Sequence, residues 1–337
     1  MSAKFLRPSQ AARRHGISPK ALKLYEAQGL VTPGRTPAGW RAYGPDDLAR
    51  VAEIAGLRGL GLSLRQVASV LAGDLRDLEA ALADQQTRLE GQSRVLSGQI
   101  ARLGEMRAGL ARGQAPSVQS LTDLAGNSRG PSLKVTLTLP WPWDGERFDL
   151  TDIRALNFII GPLGSGKTRL AQALARAIPG AVFLDPDRTS PGEAALAADP
   201  AWAMGIKAGL DWLAEDGARP SDALTALIAG LENVEASAIV VDMVEQGLDH
   251  ASQEAVIAWL RRRGPGATPL FLMTRSSAIL DLAAMGPDET LIYCPPNHSP
   301  PFPVTPVPGA HGYESVAACL GSPAVRARTA NRPPIAP

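Results

Sequence analysis

The sequence predicts a multidomain protein in which a small all-α head, one long helix and a larger α/β domain follow one another. Three observations carry this prediction. Positive charge is concentrated in the first 73 residues, leucine recurs every seven residues between positions 75 and 110, and apolar strands alternate with helical stretches from residue 132 onward. The length of 337 residues is sufficient for two domains and their connections.

The composition favours a cytoplasmic protein. Hydrophobic residues make up 45% and charged residues 20% of the chain, and no apolar run approaches the roughly eighteen residues of a membrane span. The N-terminus, MSAKFLRPSQAARRHG, lacks the apolar centre of a signal peptide. Cys294 and Cys319 have the spacing of neither a disulfide framework nor a metal site. We therefore expect no membrane partner.

The net charge of +1 conceals an asymmetry. Residues 1–73 contain 11 Lys and Arg against 4 Asp and Glu, a net charge of +7, which leaves −6 for the remainder. A basic head on an acidic body suggests a polyanion as the partner of the head. Charge alone leaves open that this is a chance cluster of solvated side chains.

Changes in composition divide the chain into five predicted segments. They are a basic head (1–73), a long helix (74–112), a linker of small residues (113–131), an α/β domain (132–294) and a Pro-rich tail (295–337). We expect the tail to be poorly ordered apart from a short helix near Tyr313–Leu320.

Local signals in the head predict a winged helix-turn-helix. Ser9 can begin a helix over Gln10–His15, and Ser18 with Pro19 begins a second helix that Gly29 ends. In such a pair the second helix enters the major groove of DNA. The turn-rich stretch Val31–Gly44 suits a β-wing. Two further helices, Pro45–Leu60 and Ser63–Leu71, would complete the core.

Several segments in fixed order resemble the MerR family of transcriptional regulators. They are KALKLYEAQGL, GWRAY, DDLARV and LRGLGLSLRQV, within residues 4–72. Lys23, Leu24 and Trp40 replace the Arg, Tyr and Tyr that are usual in the family. The resemblance implies binding to a palindromic promoter site in double-stranded DNA, with RNA polymerase as a further partner. It also implies two sets of DNA contacts: Lys20, Lys23 and Tyr25 from the second helix, and Arg35, Arg41 and Tyr43 from the wing.

The long helix carries one strict leucine row. Its members are Leu75, Leu82, Leu89, Leu96, Leu103 and Leu110, beside a second row that holds Leu78, Gln85, Gln92, Gln99 and Met106. This pattern is typical of a coiled-coil seam with polar layers. The family resemblance implies an antiparallel homodimer through this helix. Packing of the helix on its own body is the alternative.

A phosphate-binding loop is the strongest single motif. The apolar strand Leu156–Ile160 runs into G-x-x-x-x-G-K-T, and a helix over Arg169–Ile178 follows. We expect the loop to bind ATP or ADP and Thr168 to hold magnesium together with Asp242, which ends the strand Ala238–Val241. The expected binding residues are Gly161, Pro162, Leu163, Gly164, Ser165, Gly166, Lys167, Thr168 and Asp242.

The segment from Asp242 to Asp249 and the following helix and strand (Pro269–Met273) resemble ABC-type ATPases. Leu133–Leu139 and Phe148–Leu150 look like the antiparallel strands that precede the loop in that class. The resemblance implies a P-loop NTPase fold. The chain departs from the class in its signature loop, which is vestigial around Arg219–Asp222, and at two single positions. Met243 replaces the Glu that polarises the attacking water, and Arg275 replaces the switch His.

A thioether cannot act as a base, so we expect ATP binding with weak or absent hydrolysis. Glu245 is the candidate substitute base, although its offset differs. Trp141, Trp143 and Phe148 are candidates for stacking on adenine, with core packing favoured for each.

The resulting interpretation is a dimeric transcription regulator that responds to ATP or ADP. The main alternative joins the DNA-binding head to a small kinase-like enzyme that phosphorylates a small molecule, because Asp185 and Asp187 follow a strand as acids do in such kinases. A DNA-bound ATPase of repair or segregation is a third class, which the promoter-type head disfavours.

Overall fold

The computed structural model describes residues 5–36, 39–112, 133–232, 235–264 and 267–321. The chain divides into two compact units. Unit 1 is Met1–Thr87 with the short segment Trp212–Gly217, and unit 2 is Arg88–Asp211 with Ala218–Pro337. The predicted linker, 113–131, lies outside the described residues.

Unit 1 contains the helices and the two-stranded wing that the sequence predicts. Its elements are α1 (Pro8–Arg14), α2 (Pro19–Ala27), β1 (Gly34–Arg35), β2 (Arg41–Ala42), α3 (Pro45–Gly59), α4 (Leu64–Leu71) and the start of α5 (Leu78–Ala111). Ser18 caps α2 by accepting a hydrogen bond from the Ala21 backbone, as expected. The expected start of α1 is wrong. The capping position is Arg7 instead of Ser9, because Pro8 occupies the first turn, where its missing N–H is not needed.

The core of unit 1 is formed by the inward faces of its helices. Leu22, Val51 and Val67 are fully buried there, one each from α2, α3 and α4. The chain leaving β2 is joined to this core through an antiparallel bridge between Leu6 and Tyr43. Burial of these apolar side chains fixes α2 against the rest of the head.

Unit 1 also includes six residues from much later in the sequence, Trp212–Gly217. The Asp216 carboxylate, 1% exposed, accepts two hydrogen bonds from Arg58, at 2.6 and 3.1 Å, and a third from the Leu64 backbone at 2.9 Å. Ser63 donates to Glu215 at 3.0 Å, and the Trp212 indole donates to the carbonyl of Gly61 at 3.3 Å. These contacts cap the N-terminus of α4 with negative charge, which helix N-termini favour.

Unit 2 contains a six-stranded sheet and a separate hairpin. Its remaining elements are β3 (Val135–Thr138), β4 (Arg147–Leu150), β5 (Leu156–Ile160), α6 (Lys167–Ala177), β6 (Ala181–Leu184), α7 (Glu193–Ala198), α8 (Pro200–Glu215, whose last turn lies in unit 1), α9 (Asp222–Leu231), β7 (Ala238–Val241), α10 (His250–Leu260), β8 (Leu270–Met273), β9 (Glu289–Tyr293), β10 (Phe302–Val304) and α11 (Tyr313–Cys319).

The strand order in the large sheet is β10-β9-β5-β8-β7-β6. All neighbouring strands are parallel except β10, which is antiparallel to β9. Every residue of β5, β7 and β8 is buried, as expected for the centre of a parallel sheet with both faces covered. The hairpin β3–β4 shares a core with α6 and the large sheet.

The expectation of a poorly ordered tail is wrong for residues 295–321. β10 extends the sheet beyond residue 294, and Phe302 packs edge-on against Tyr293 with ring centroids 5.7 Å apart. Proline lacks the N–H of a sheet ladder but is tolerated on an edge strand, where Pro303 lies. Proline content therefore misled the prediction, because it does not distinguish an edge strand from an irregular segment. The predicted short helix is present as α11.

The long helix predicted over residues 74–112 is one helix, α5. Three leucines of its predicted seam (Leu82, Leu89 and Leu103) are about half exposed in the single chain. Pairing through this seam remains a prediction. None of the helices in the described ranges combines the length and apolar character of a membrane span.

Candidate nucleotide site and nucleic-acid interface

The loop between β5 and α6 has a backbone that requires glycine. Gly164 and Gly166 have φ of +81° and +88°, in the left-handed region that side chains disfavour. A Cβ atom on Gly166 would also lie 2.7 Å from the Trp143 ring, and one on Gly161 would lie 2.4 Å from the carbonyl oxygen of Cys294. These close approaches leave no room for a side chain at Gly161 or Gly166, so the path of the loop backbone requires glycine at both positions.

Two side chains of the loop hold it closed. The Lys167 ammonium donates to the carbonyl of Pro162 at 2.7 Å, and the Ser165 hydroxyl donates to the same carbonyl at 2.9 Å. Burial is the main cause that lowers the pKa of Lys167. No side chain caps the first turn of α6, so its N-terminal N–H groups and positive dipole end are directed at the loop. The arrangement suits a phosphate.

Thr168, in the first turn of α6, and Asp242, directly after β7, meet at the loop. The Thr168 hydroxyl donates to the Asp242 carboxylate at 3.1 Å. Burial raises the pKa of Asp242, and the hydrogen bond from Thr168 opposes that shift. Hydroxyl and carboxylate oxygens are ligands that magnesium prefers, so the pair fits a magnesium ion bound together with phosphates. Such an ion would neutralise phosphate charge.

A pocket of about 380 Å³ opens over this loop. Its lining includes Leu163, Gly164, Gly166, Lys167, Thr168 and Asp242 of the predicted site, together with Trp141, Pro142, Arg169, Met243, Met273, Thr274 and Arg275. Predicted site residues that follow β5 and β7 therefore lie around one pocket, with the end of β8 between them, whereas Gly161, Pro162 and Ser165 do not line it.

One aromatic side chain at the pocket differs from expectation. Trp143 and Phe148 are buried in the core, as favoured, but Trp141 is 76% exposed at the edge of the pocket. The Arg169 guanidinium lies 6.0 Å from the centre of its ring. An exposed indole beside a phosphate-type loop offers a face on which a base can stack. Core packing was the wrong preference for Trp141, whose side chain is mostly exposed.

Met243 and Arg275 lie together on the pocket wall. The Arg275 guanidinium is 3.6 Å from the Met243 sulfur, and Met243 has a φ of +51°. Glu245 does not line the pocket. Its buried carboxylate accepts a hydrogen bond from the Arg275 backbone at 3.0 Å, so it holds the pocket wall. This position does not favour Glu245 as a base.

Asp185 and Asp187, on which the kinase alternative depends, follow β6 at the edge of the sheet. Two strands, β7 and β8, separate β6 from β5, and neither carboxylate lines the pocket. The geometry therefore gives the kinase alternative no support.

In unit 1, most predicted DNA contacts lie on the surface. Lys23 is exposed and Lys20 is half-buried on α2, while Arg35 is exposed on the wing. Arg41 is also exposed, but its guanidinium pairs with Glu26 at 2.5 Å. These four positive side chains remain candidates for contacts with DNA.

The two predicted tyrosine contacts need correction. Tyr25 is 5% exposed and Tyr43 is fully buried, both within the core of unit 1. The Tyr43 hydroxyl donates to Glu26, and burial raises the pKa of both tyrosines. A tyrosine has an apolar ring, and here the ring is used to fill the core. Neither hydroxyl is presented to a phosphate.

The head, residues 1–73, is similar in sequence to known regulatory proteins. The profile of the MerR HTH family regulatory protein matches residues 6–74. A probable heavy metal-dependent transcriptional regulator of Haemophilus influenzae is 43% identical over 65 residues, which cover 19% of this chain and 51% of that protein. An uncharacterized HTH-type transcriptional regulator of Pseudomonas aeruginosa is 34% identical over 99 residues, which cover 29% of this chain and 74% of that protein. The chain thus spans only about half the length of the first relative.

Solved structures resemble parts of the chain at low scores. The regulator SkgA from Caulobacter crescentus is 29% identical, covers 35% of this chain and 86% of its own, and has a TM-score of 0.23. An ATP-binding cassette of an ABC transporter in its ADP conformation is 14% identical and has a TM-score of 0.34. The match covers 60% of this chain and 100% of that chain. TM-scores this low establish neither fold nor function, so the nucleotide site is inferred from its own residues. The matches to the head suffice for a family assignment: the chain belongs to the MerR HTH family of regulatory proteins.

Proposed function

We propose that this protein is a dimeric DNA-binding transcription regulator whose affinity for its promoter site changes when ATP or ADP binds to unit 2 with magnesium. The observation that carries the proposal is the convergence of Lys167, Thr168 and Asp242 on a glycine-lined loop, in a chain that also has a MerR-type head. The nucleotide takes the place of an effector ligand.

The nucleotide part of the proposal depends on the pocket. Lys167 and the loop N–H groups would hold the phosphates, Thr168 and Asp242 the magnesium, and Trp141 the base. At the position where ABC-type ATPases have a general base, Met243 provides a thioether that cannot accept a proton. Arg275 places a positive charge on the same wall, which suits a terminal phosphate. We therefore propose binding with little or no hydrolysis.

The DNA part depends on the head and on α5. The excess positive charge of residues 1–73 and the exposed Lys23, Arg35 and Arg41 suit a duplex partner. The half-exposed Leu82, Leu89 and Leu103 of α5 suit a second copy of the chain, and a dimer would place two α2 helices on a palindromic site. Membership in the MerR family supports RNA polymerase as a further partner of this regulator.

Coupling requires that the nucleotide bind one arrangement of the dimer better than another. A dimer held by α5 would keep two P-loop domains at a high effective concentration, so a modest nucleotide-dependent preference for their association would be sufficient. By linkage, the nucleotide would then alter the affinity for DNA by the same factor by which DNA alters the affinity for nucleotide.

The test is a titration of the full-length protein on its operator, identified by genomic selection, with Mg-ATP, Mg-ADP and no nucleotide. We expect the operator affinity to change by about 5- to 150-fold between at least two of these conditions, the range of ordinary allosteric coupling. Equal affinities in all three, at nucleotide concentrations shown to saturate the protein, would contradict the coupling. Fast ATP turnover would contradict the interpretation of Met243.

Lys23→Ala is expected to weaken operator binding by roughly 1–3 kcal/mol if Lys23 reads a base edge. The side chain is exposed on α2, so its removal leaves the core intact. Fluorescence anisotropy with operator and scrambled duplexes measures the effect, and Lys207→Ala, which removes an exposed lysine paired with Asp211, is the matched control. A uniform loss on both duplexes would assign Lys23 to the phosphate backbone instead.

A further inference from the structure

The segment from Asp185 to Arg188, which the sequence singles out, has no place in the proposed nucleotide pocket. In the structure its arginine faces the loop that follows β7. One terminal nitrogen of Arg188 donates to the carbonyls of Asp242 and Met243, at 3.2 and 3.4 Å, and the other donates to those of Met243 and Val244, at 3.4 and 3.2 Å. A single side chain thus binds three successive carbonyls.

The loop that Arg188 binds is conformationally unfavourable by itself. Met243, at its centre, has a φ of +51°, which residues other than glycine adopt rarely and only when surrounding contacts hold them. The flat, forked guanidinium matches adjacent carbonyls better than a lysine ammonium does. The contacts of Arg188 supply the restraint that this backbone conformation needs.

The same side chain also balances charge. Asp242 and Glu245 are 7% and 3% exposed, and both carboxylates lie near the Arg188 guanidinium, as does Asp185. Burial lowers the pKa of Arg188, and these three carboxylates oppose that shift. The Arg188 Nε is buried and, among the described residues, has no acceptor, so the two terminal nitrogens make the hydrogen bonds to the loop carbonyls.

We infer that Arg188 is a positioning residue for Asp242: it holds the loop after β7 so that the Asp242 carboxylate stays beside the Thr168 hydroxyl, where the magnesium of a bound nucleotide would be held. Arg188 does not line the pocket and acts through the loop. The inference rests on the proposed binding of Mg-nucleotide.

The test measures ADP affinity of the full-length protein by calorimetry, once with magnesium and once with EDTA. Arg188→Ala should reduce the magnesium-dependent gain in affinity by about 10- to 100-fold, the usual effect of removing a partner that orients a metal ligand. Its affinity for ADP in EDTA should stay within about threefold of wild type, because the phosphate loop is untouched. Arg188→Lys should lose most of the gain, since an ammonium cannot span three carbonyls.

The control is Arg176→Ala, which removes an exposed arginine from α6 and should leave both affinities unchanged. Circular dichroism confirms folding, and Arg188→Lys replaces Arg188→Ala if the alanine variant unfolds. An unchanged magnesium gain in the folded variants would overturn the inference, as would equal losses with magnesium and with EDTA. A wild-type protein that binds ADP without any magnesium gain would also overturn it. A wild-type protein that binds no nucleotide would refute the proposed function itself.

Discussion

Lys167→Ala is expected to reduce the affinity for Mg-ATP and Mg-ADP by about 100-fold. The ammonium lies in the pocket, where it closes the loop onto Pro162, and it would bind the outer phosphates. A hydrogen bond to a charged group contributes about 1.5–3 kcal/mol, and 2.7 kcal/mol corresponds to a hundredfold change in affinity. Calorimetry on the full-length variant measures the loss.

The matched control is Lys207→Ala, because Lys207 forms an exposed ion pair with Asp211. Nucleotide binding by Lys167→Ala within about threefold of wild type would contradict the phosphate role of the loop. The same variant also tests coupling. Its operator affinity should no longer respond to nucleotide, and it should equal that of the nucleotide-free wild type.

Asp216→Ala is expected to destabilise unit 1 by about 3–5 kcal/mol, the usual effect of removing one partner of a buried ion pair. Asp216 is almost completely buried and accepts hydrogen bonds from Arg58 and from the backbone of Leu64. Its loss leaves the partly buried Arg58 charge without its ion-pair partner and the Leu64 N–H, in the first turn of α4, without its acceptor. The effect is large because both groups remain shielded from water.

Urea denaturation, monitored both by circular dichroism and by operator binding, measures the loss of stability. The control is Asp211→Ala. Asp211 lies five residues before Asp216, and its exposed carboxylate forms a surface ion pair with Lys207. Exposed pairs contribute about 0–1 kcal/mol, so the control should unfold near the wild-type midpoint. Equal midpoints for the two variants would show that Asp216 is not part of the stable core of unit 1.

The site on unit 2 was predictable where its signals are local. The spacing of glycines, lysine and threonine between a strand and a helix predicted the loop, because its backbone conformation and helix start depend on adjacent residues. Asp242 was predictable as the residue that ends an apolar strand. Both Thr168 and Asp242 were expected to hold magnesium, and the structure joins them directly by a hydrogen bond.

The sequence by itself determined the elements of the head, the long helix and the phosphate loop, since capping residues such as Ser18 and runs such as Leu156–Ile160 act over a few positions. Only the tertiary structure decided which aromatic rings are buried: Tyr25 and Tyr43 fill the core, while Trp141 faces the pocket.

It also decided the partners of the buried charges. Arg188 binds a loop more than fifty residues later, and Arg58 pairs with a carboxylate 158 residues away. No local periodicity encodes such pairs, because their free energy depends on burial and on geometry that exist only after distant segments have packed together.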